Sequence, residues 1–346
     1  MNKYYFSFLV VSTLLFASCM STRGMKVQVA RPAEITVIPE IKSVTIVNRS
    51  VPTSGTTVET VLTAERKNQD KELSEECIKG LNELLQESTR FQVKRCESAF
   101  DSSDPTSNSF GTMLSWDFVD SLCKAYETDA LLVLEYFDTD FRVVNPAATA
   151  TQALGNVLNG QGTSITVTGT GTAVAGYRFY YPKTKTVVYE NSFRWSKNWQ
   201  ESSTNPIDAV NRMIKPNQAL MEVSYLTGRE FATRIIPLYF WEERFLYKGK
   251  KGQMERAERY ALAKDWEKAR EIWKEEYETS GKKKVRARAA LNAALAEEIF
   301  GNLEAAYEWA QKAYVEKPKD EQLDYIDILD QRIREQEKLE KQLNSN

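Results

Sequence analysis

The chain has 346 residues, 42% of them hydrophobic and 27% charged, and 46 Lys+Arg stand against 48 Asp+Glu for a formal net charge of −2. That length predicts about two domains, each rich enough in apolar residues to bury a core of its own, and the balanced charge argues against a dedicated nucleic-acid binder. Histidine is absent, which removes Ser-His-Asp and Cys-His nucleophilic sites, imidazole zinc ligation and the commonest general base near neutral pH.

Lys3 supplies a minimal positive start, and Tyr4 to Phe16 is an apolar run interrupted only by Ser7, Ser12 and Thr13. The run is too short to cross a bilayer core comfortably and fits the apolar region of a signal peptide. Phe16-Ala17-Ser18-Cys19 resembles a bacterial lipobox, with Phe16 in place of the commoner Leu. That resemblance implies a signal peptide over 1–18, diacylglycerol on Cys19 and a tether over 19–34. The alternatives are plain secretory cleavage or a short membrane anchor. No acidic residue follows Cys19 as far as Lys26, so by the rule for such lipoproteins the address is the periplasmic face of the outer membrane.

The next stretch predicts an α/β domain over 35–245. Val44 to Val47 is a β-branched run that reads as a buried strand. Leu73, Cys77, Leu81, Leu84 and Leu85 recur at three- and four-residue steps and predict a helix near 70–86. "RFQVKR" reads as a short strand. Ser115 is placed as an N-cap for a helix carrying Trp116, Val119, Leu122, Cys123 and Tyr126 on one stripe. "DALLVLEYFDTD" follows as a strand, and residues 145–162, rich in Ala, Thr, Gly and Asn, read as a mobile insertion.

A hairpin comes next, with Ala173, Ala175, Tyr177, Phe179 and Tyr181 alternating on one face. Pro182 to Lys185 turns, and Val187, Tyr189, Phe193 and Trp195 return. Asn205-Pro206 opens a helix that Pro216 restarts, ending before Pro237. This order resembles periplasmic lipoproteins of the curli-export and peptidoglycan-synthase-activator type. "IKSVTIVNRS", "GLNELLQESTRFQV", "DALLVLEYFDTD" and "TGREFATRIIPLYFWEERFLYKG" are similar to an uncharacterised Bacteroidetes-type lipoprotein family carrying C-terminal tetratricopeptide repeats, a resemblance that implies an address and a domain order but no activity.

From about Gly252 the texture turns to Ala/Glu/Lys/Arg-rich helix. "ALAKDWEKAREIWKEEY" and "EIFGNLEAAYEWAQKAYVEKP" align at an offset of 37 residues, close to the roughly 34 of a tetratricopeptide repeat. Asp265 and Asn302 start the second helix of each pair, Trp266 matches Leu303, Trp273 matches Ala310, and Ala257 and Ala294 fall where helices pack closely. Leu323, Ile326, Leu329 and Ile333 predict a capping helix within 323–343. The expected fold is thus an α/β (α+β) domain with a mixed sheet, then an all-α tetratricopeptide-like domain over 252–346. Such helix pairs form grooves for a peptide or partner helix. Trp266, Trp273 and Trp309 are the candidate groove residues, their solvation favouring binding and their burial a purely stabilising bundle.

Glu135, Asp138 and Asp140 cluster at a strand end, where active sites of α/β sheets often lie. Glu135 shares a face with Leu131 and Val133 and is expected to meet an arginine such as Arg49 or Arg194. Paired carboxylates there suit glycoside hydrolysis or calcium, but the spacing matches no calcium loop. The glycines of "GQGTSITVTGTGTAVAG" lack the Lys-Ser/Thr of a phosphate loop. Cys77, Cys96 and Cys123 leave open a Cys77–Cys96 disulfide or buried free thiols. Lys282 to Arg288 is a solvated helix start, with anionic lipid or a partner as the alternative. Neither cofactor, metal nor nucleic acid is expected. The leading expectation is a non-catalytic, lipid-anchored adaptor or assembly factor binding an envelope protein through its repeats. The alternatives are a homo-oligomerising structural subunit and an envelope hydrolase using Glu135 and Asp138.

Overall fold

The computed structural model describes residues 22–50, 60–97, 109–143, 165–204 and 206–344. The expected signal peptide, Cys19, the insertion at 145–162 and the Asn205 cap lie outside them. Two compact units emerge. One holds Pro32–Leu238 with residues 340–344, and the other holds Tyr239–Leu339 with the strand that ends at Arg31.

In the first unit, strand β2 (Ser43–Asn48) is followed by helix α1 (Thr60–Glu87), β3 (Gln92–Arg95), α2 (Trp116–Tyr126) and β4 (Ala130–Val143). The long hairpin β5 (Ile165–Tyr181) and β6 (Thr186–Ser203) comes next, then α3 (Pro206–Arg212) and α4 (Pro216–Ile235). The sheet order is β3-β2-β4-β5-β6. β2 runs parallel to β3 and β4, whereas β4–β5 and β5–β6 are antiparallel. The sheet is therefore mixed, as expected.

Both faces of its centre are covered, which is why β2 and β4 read as unbroken apolar runs. Val44, Ile46, Leu132 and Leu134 pack with Cys77, Leu81 and Leu85 of α1 and Phe231 of α4. Val47, Leu131 and Val133 face the other way, against Val119 and Cys123 of α2. Ser115 caps α2 as its position predicts, accepting the Phe118 amide at 3.3 Å. Ala175, Tyr177, Phe179 and Tyr181 share the first core, and Tyr177 stacks on Phe231 with ring centroids 3.8 Å apart.

One detail of the hairpin departs from expectation. Val187 packs on the α2 side and Tyr189 on the α1/α4 side, because a register shift at Phe179/Tyr180 inserts one residue and flips the faces beyond it. Cys77, Cys96 and Cys123 are buried and form no disulfide with one another. Cys77 and Cys96 sit in the cores on opposite faces of the sheet, so no disulfide joins them. Burial pushes the Cys77 and Cys123 thiols up to about 12, leaving them neutral small apolar residues.

The second unit begins with β1 (Thr22–Arg31), a strand within the segment expected to be tether. It pairs with β7 (Leu238–Tyr247) in a two-stranded sheet, a ribbon that local sequence reading missed. Helices α5 (Gly252–Leu262), α6 (Trp266–Thr279), α7 (Lys283–Ile299), α8 (Leu303–Glu316) and α9 (Asp320–Leu343) follow. The two α/α turns are equivalent to the residue: Lys264 and Gly301, at the repeat offset from each other, both take left-handed backbone, φ 72° and 79°.

Asp265 caps α6 by accepting the Lys268 amide at 3.1 Å. Asn302 stands at the matching position, but its side-chain amide donates to Glu297 at 2.7 Å. Ala257 and Ala294 are fully buried, as close helix packing requires. On α9, Leu329 is buried with Ile326 and Ile333 beside it, whereas Leu323 is 40% exposed rather than facing the repeats.

Candidate functional site

The acidic strand end of the first unit is a structural knot. A register shift between Leu134 and Tyr136 makes Glu135 the bulged residue of β4, and its side chain is buried on the α2 side of the sheet. One carboxylate oxygen accepts Arg49 Nη1 at 2.8 Å; the other accepts Arg178 Nη1 at 3.1 Å and the Tyr180 hydroxyl at 2.9 Å. The arginine expected as an alternative, Arg194, is not among these partners; Arg178 takes that place. Arg178 also donates to Glu190 at 2.6 Å, Arg49 donates to the Thr112 carbonyl at 2.8 Å, and the Tyr180 hydroxyl accepts the Leu114 amide at 3.2 Å. The cluster therefore ties residues 111–114 to the sheet. Asp138 and Asp140 lie farther along β4 and are exposed, Asp140 pairing with Arg142. The three carboxylates do not converge on one cleft, and among the described residues no group of three or more Cys, Asp or Glu is placed to hold a metal.

The expected tryptophan groove of the second unit is its interior. Trp273 is fully buried in the core formed by Ala257, Ala269, Ala289 and Ala293, with Trp266 and Trp309 partly buried against it. Trp309 packs edge-on to Tyr277 at 5.3 Å, and Lys312 covers its ring at 4.1 Å. The spacing of Trp266, Trp273 and Tyr277 marks the face by which one helix packs on the next. That is an interhelical core at Trp273, while Trp266 and Trp309 at its margin keep part of their surface exposed.

The exposed apolar surface lies elsewhere in the same unit. Arg244 and Leu246 of β7, and Val27 and Val29 of β1, point inward. Strand alternation sends Tyr239, Trp241, Glu243 and Phe245 to the other face, where Tyr239, Trp241 and Phe245 are 61%, 65% and 65% exposed; the alternation fails at both ends, Phe240 being 38% exposed and Tyr247 buried. The ribbon is held by buried polar pairs. Arg244 Nε donates to both oxygens of Glu298 at 3.1 Å, and Glu298 also accepts the Tyr325 hydroxyl at 2.7 Å and pairs with Arg332. Burial, reinforced by the Glu298 charge, holds the Tyr325 hydroxyl well above its ordinary pKa, so it remains a donor.

Asn292 of α7 bonds both main-chain groups of Tyr247: its Oδ1 accepts the amide at 2.8 Å and its Nδ2 donates to the carbonyl at 2.9 Å. Beside this contact lies a groove of about 410 Å³ between β7, α7 and α9. A smaller depression of about 130 Å³ has Lys284, Arg288, Lys317 and Lys319 around it. The Ala-rich, nearly all-buried texture of α7 was a usable sign that it is the central helix. Nothing local announced that Asn292 and Glu298 serve β7.

A family model described as Domain of unknown function (DUF8603) matches residues 41–247, more than half of the chain. The chain belongs to that family. A second model, Domain of unknown function (DUF6340), matches residues 255–331, spanning the helices from α5 into α9. The first match takes in β7 and ends at Tyr247, although β7 is packed in the helical unit. No curated protein matches the chain. Among solved structures, a PelC dodecamer from Paraburkholderia phytofirmans is 8% identical, covering 62% of this chain and 99% of that one, with a TM-score of 0.22. A single-substitution variant of the same dodecamer is 9% identical with a TM-score of 0.20. Scores this low establish no shared fold.

Proposed function

We propose that this protein is a lipid-anchored adaptor of the cell envelope, held at the periplasmic face of the outer membrane through Cys19, whose helical unit binds another envelope protein. One observation carries the adaptor reading: three aromatic side chains stand 61–65% exposed along one face of β7. Monomeric surfaces rarely leave contiguous aromatic area in water unless a partner covers it, and Trp, Tyr and Phe are enriched where proteins meet. The contact surface is thus assigned to the outer face of the ribbon, replacing the Trp266/Trp273/Trp309 groove. Catalysis is no part of the proposal, because both Glu135 oxygens are committed to Arg49, Arg178 and Tyr180.

The anchor rests on the lipobox, and among the described residues no helix is long and apolar enough to cross a membrane. Several acyl chains at about 0.8 kcal/mol per buried methylene hold a domain on a bilayer without one. Radiolabelled palmitate is expected to enter the wild type and to be lost in Cys19→Ala; equal labelling contradicts the anchor. For the adaptor, the double variant Trp241→Ser/Phe245→Ser is expected to keep the wild-type melting temperature, since exposed positions shift stability by only about 0.5 kcal/mol. It is expected to lose at least ten-fold of a protein that co-purifies with the wild type from crosslinked cells. Undiminished co-purification would place the contact elsewhere.

A further inference from the structure

We infer that the groove between β7, α7 and α9 is a subsite for an extended peptide segment, taking a cationic side chain at one end and an acidic side chain at the other. The inference deepens the adaptor reading and rests on it. The apolar lining comes from Leu291 and Leu295, 7% and 1% exposed, with Tyr325 and Ile328 beside them. Carboxylates ring the opening. Glu321 is paired with Lys319 at 3.4 Å, whereas Glu243 and Asp324 make no ion pair among the described residues. The smaller depression shares Tyr247 and Gln322 with the groove and carries the opposite charge. There Arg288 lies over the Tyr247 ring at 5.1 Å, and Lys284, Arg288 and Lys317 likewise make no ion pair among the described residues. Unneutralised carboxylates and unneutralised cations therefore face water at two ends of adjoining concavities.

Two further observations suit a peptide ligand. Gln322, at the wall common to both concavities, is 3% exposed, and its Oε1 has no hydrogen-bond partner. Such an orphan costs about 1–3 kcal/mol and is satisfied by any donor that reaches it, a bound water or a ligand N–H alike. The second is the edge of β7. Its only strand neighbour among the described residues is β1, and Asn292 occupies the opposite edge at Tyr247 alone, bonding the amide and the carbonyl as a paired strand residue does. Main-chain groups two residues apart point to the same edge of a strand, so those of Phe245 lie on the side that Asn292 marks, and Phe245 lines the groove. An extended peptide there would continue the pairing that Asn292 begins and set alternate side chains into the apolar lining.

A phage-displayed random dodecapeptide library panned on the chain from residue 19 onward, carrying Cys19→Ser, tests this directly. Enriched sequences are expected to hold a Lys or Arg and an Asp or Glu separated by apolar residues. A synthetic copy of the strongest, with blocked termini, is expected to bind at least ten-fold more weakly to Glu243→Lys/Asp324→Lys and to Lys284→Glu/Lys317→Glu, all four positions being exposed. Exchanging the peptide's two charges should worsen wild-type binding. No enrichment, enrichment of like-charged peptides, or affinity unchanged in both double variants would overturn the inference. Should a cellular partner still be captured in full by Glu243→Lys/Asp324→Lys, the groove assignment falls while the adaptor reading stands.

Discussion

Replacing Glu135 with alanine is expected to lower the unfolding free energy of the mixed-sheet unit by about 3–5 kcal/mol, the usual cost of removing one partner from a buried ion cluster. The reason is what remains behind. Arg49 and Arg178 are 7% and 3% exposed, and without the carboxylate both guanidiniums stay buried, Arg49 with the Thr112 carbonyl and Arg178 with Glu190 at the margin. Tyr180 loses an acceptor at the same time. Urea unfolding followed by circular dichroism reads the loss in the transition of this unit, and a change below about 1 kcal/mol would show that the cluster is not structural. Replacing Glu135, Arg49 and Arg178 together by apolar residues of similar volume is expected to recover most of it, because such triads gain little over good packing. The same Glu135→Ala chain separates structure from chemistry: an envelope hydrolase would lose activity with its folded fraction intact.

The second large effect is expected at Gly228→Ala. Helices α1 and α4 meet through two glycines, each set against the main chain of the other helix. A β-carbon on Gly228 would stand 1.8 Å from the Cys77 carbonyl oxygen, and one on Gly80 would stand 2.0 Å from that of Tyr225. Neither obstacle is a side chain that can rotate away, so the helices must part and open the core around Phe231 and Leu81. Alanine favours an isolated helix by about 1 kcal/mol over glycine, so a position that only needed helix would be stabilised. Overpacking against backbone reverses the sign, and a net loss of about 3 kcal/mol is expected. Thermal unfolding that shows no loss, or a gain, would mean that the helices are not in this contact.

Most of the elements were legible because they sit on local periodicity. The apolar run of β2, the one-sided stripe of α2 with its Ser115 cap, and the Tyr177/Phe179/Tyr181 alternation each declare themselves within about ten residues. What stayed hidden needs partners distant in sequence. Nothing in Thr22–Arg31 shows that it pairs with a strand more than 200 residues later, which is why it read as tether. Glu135 was placed on the correct face, but Arg178 as its partner follows from the β4–β5 register and its bulge, which no local pattern fixes. The tryptophans misled for a definite reason. At helical spacing, an aromatic stripe reports that a face is buried before it reports what covers it, and in α6 that cover is the neighbouring helices. The exposed aromatics of β7 were visible as letters in "PLYFWEERFLY", yet only the burial of Arg244 and Leu246 tells which half of the alternation meets water.

The central claim is that the outer face of β7 is where a partner sits, and site-specific photocrosslinking in living cells tests it most directly. Benzoylphenylalanine is placed in turn at Trp241, at Phe245 and, as a control, at Val315 on α8, which is 80% exposed. The account predicts one adduct of the same mass from both β7 positions and none from position 315. Absence of any adduct from β7, or equal yield from all three positions, would contradict it.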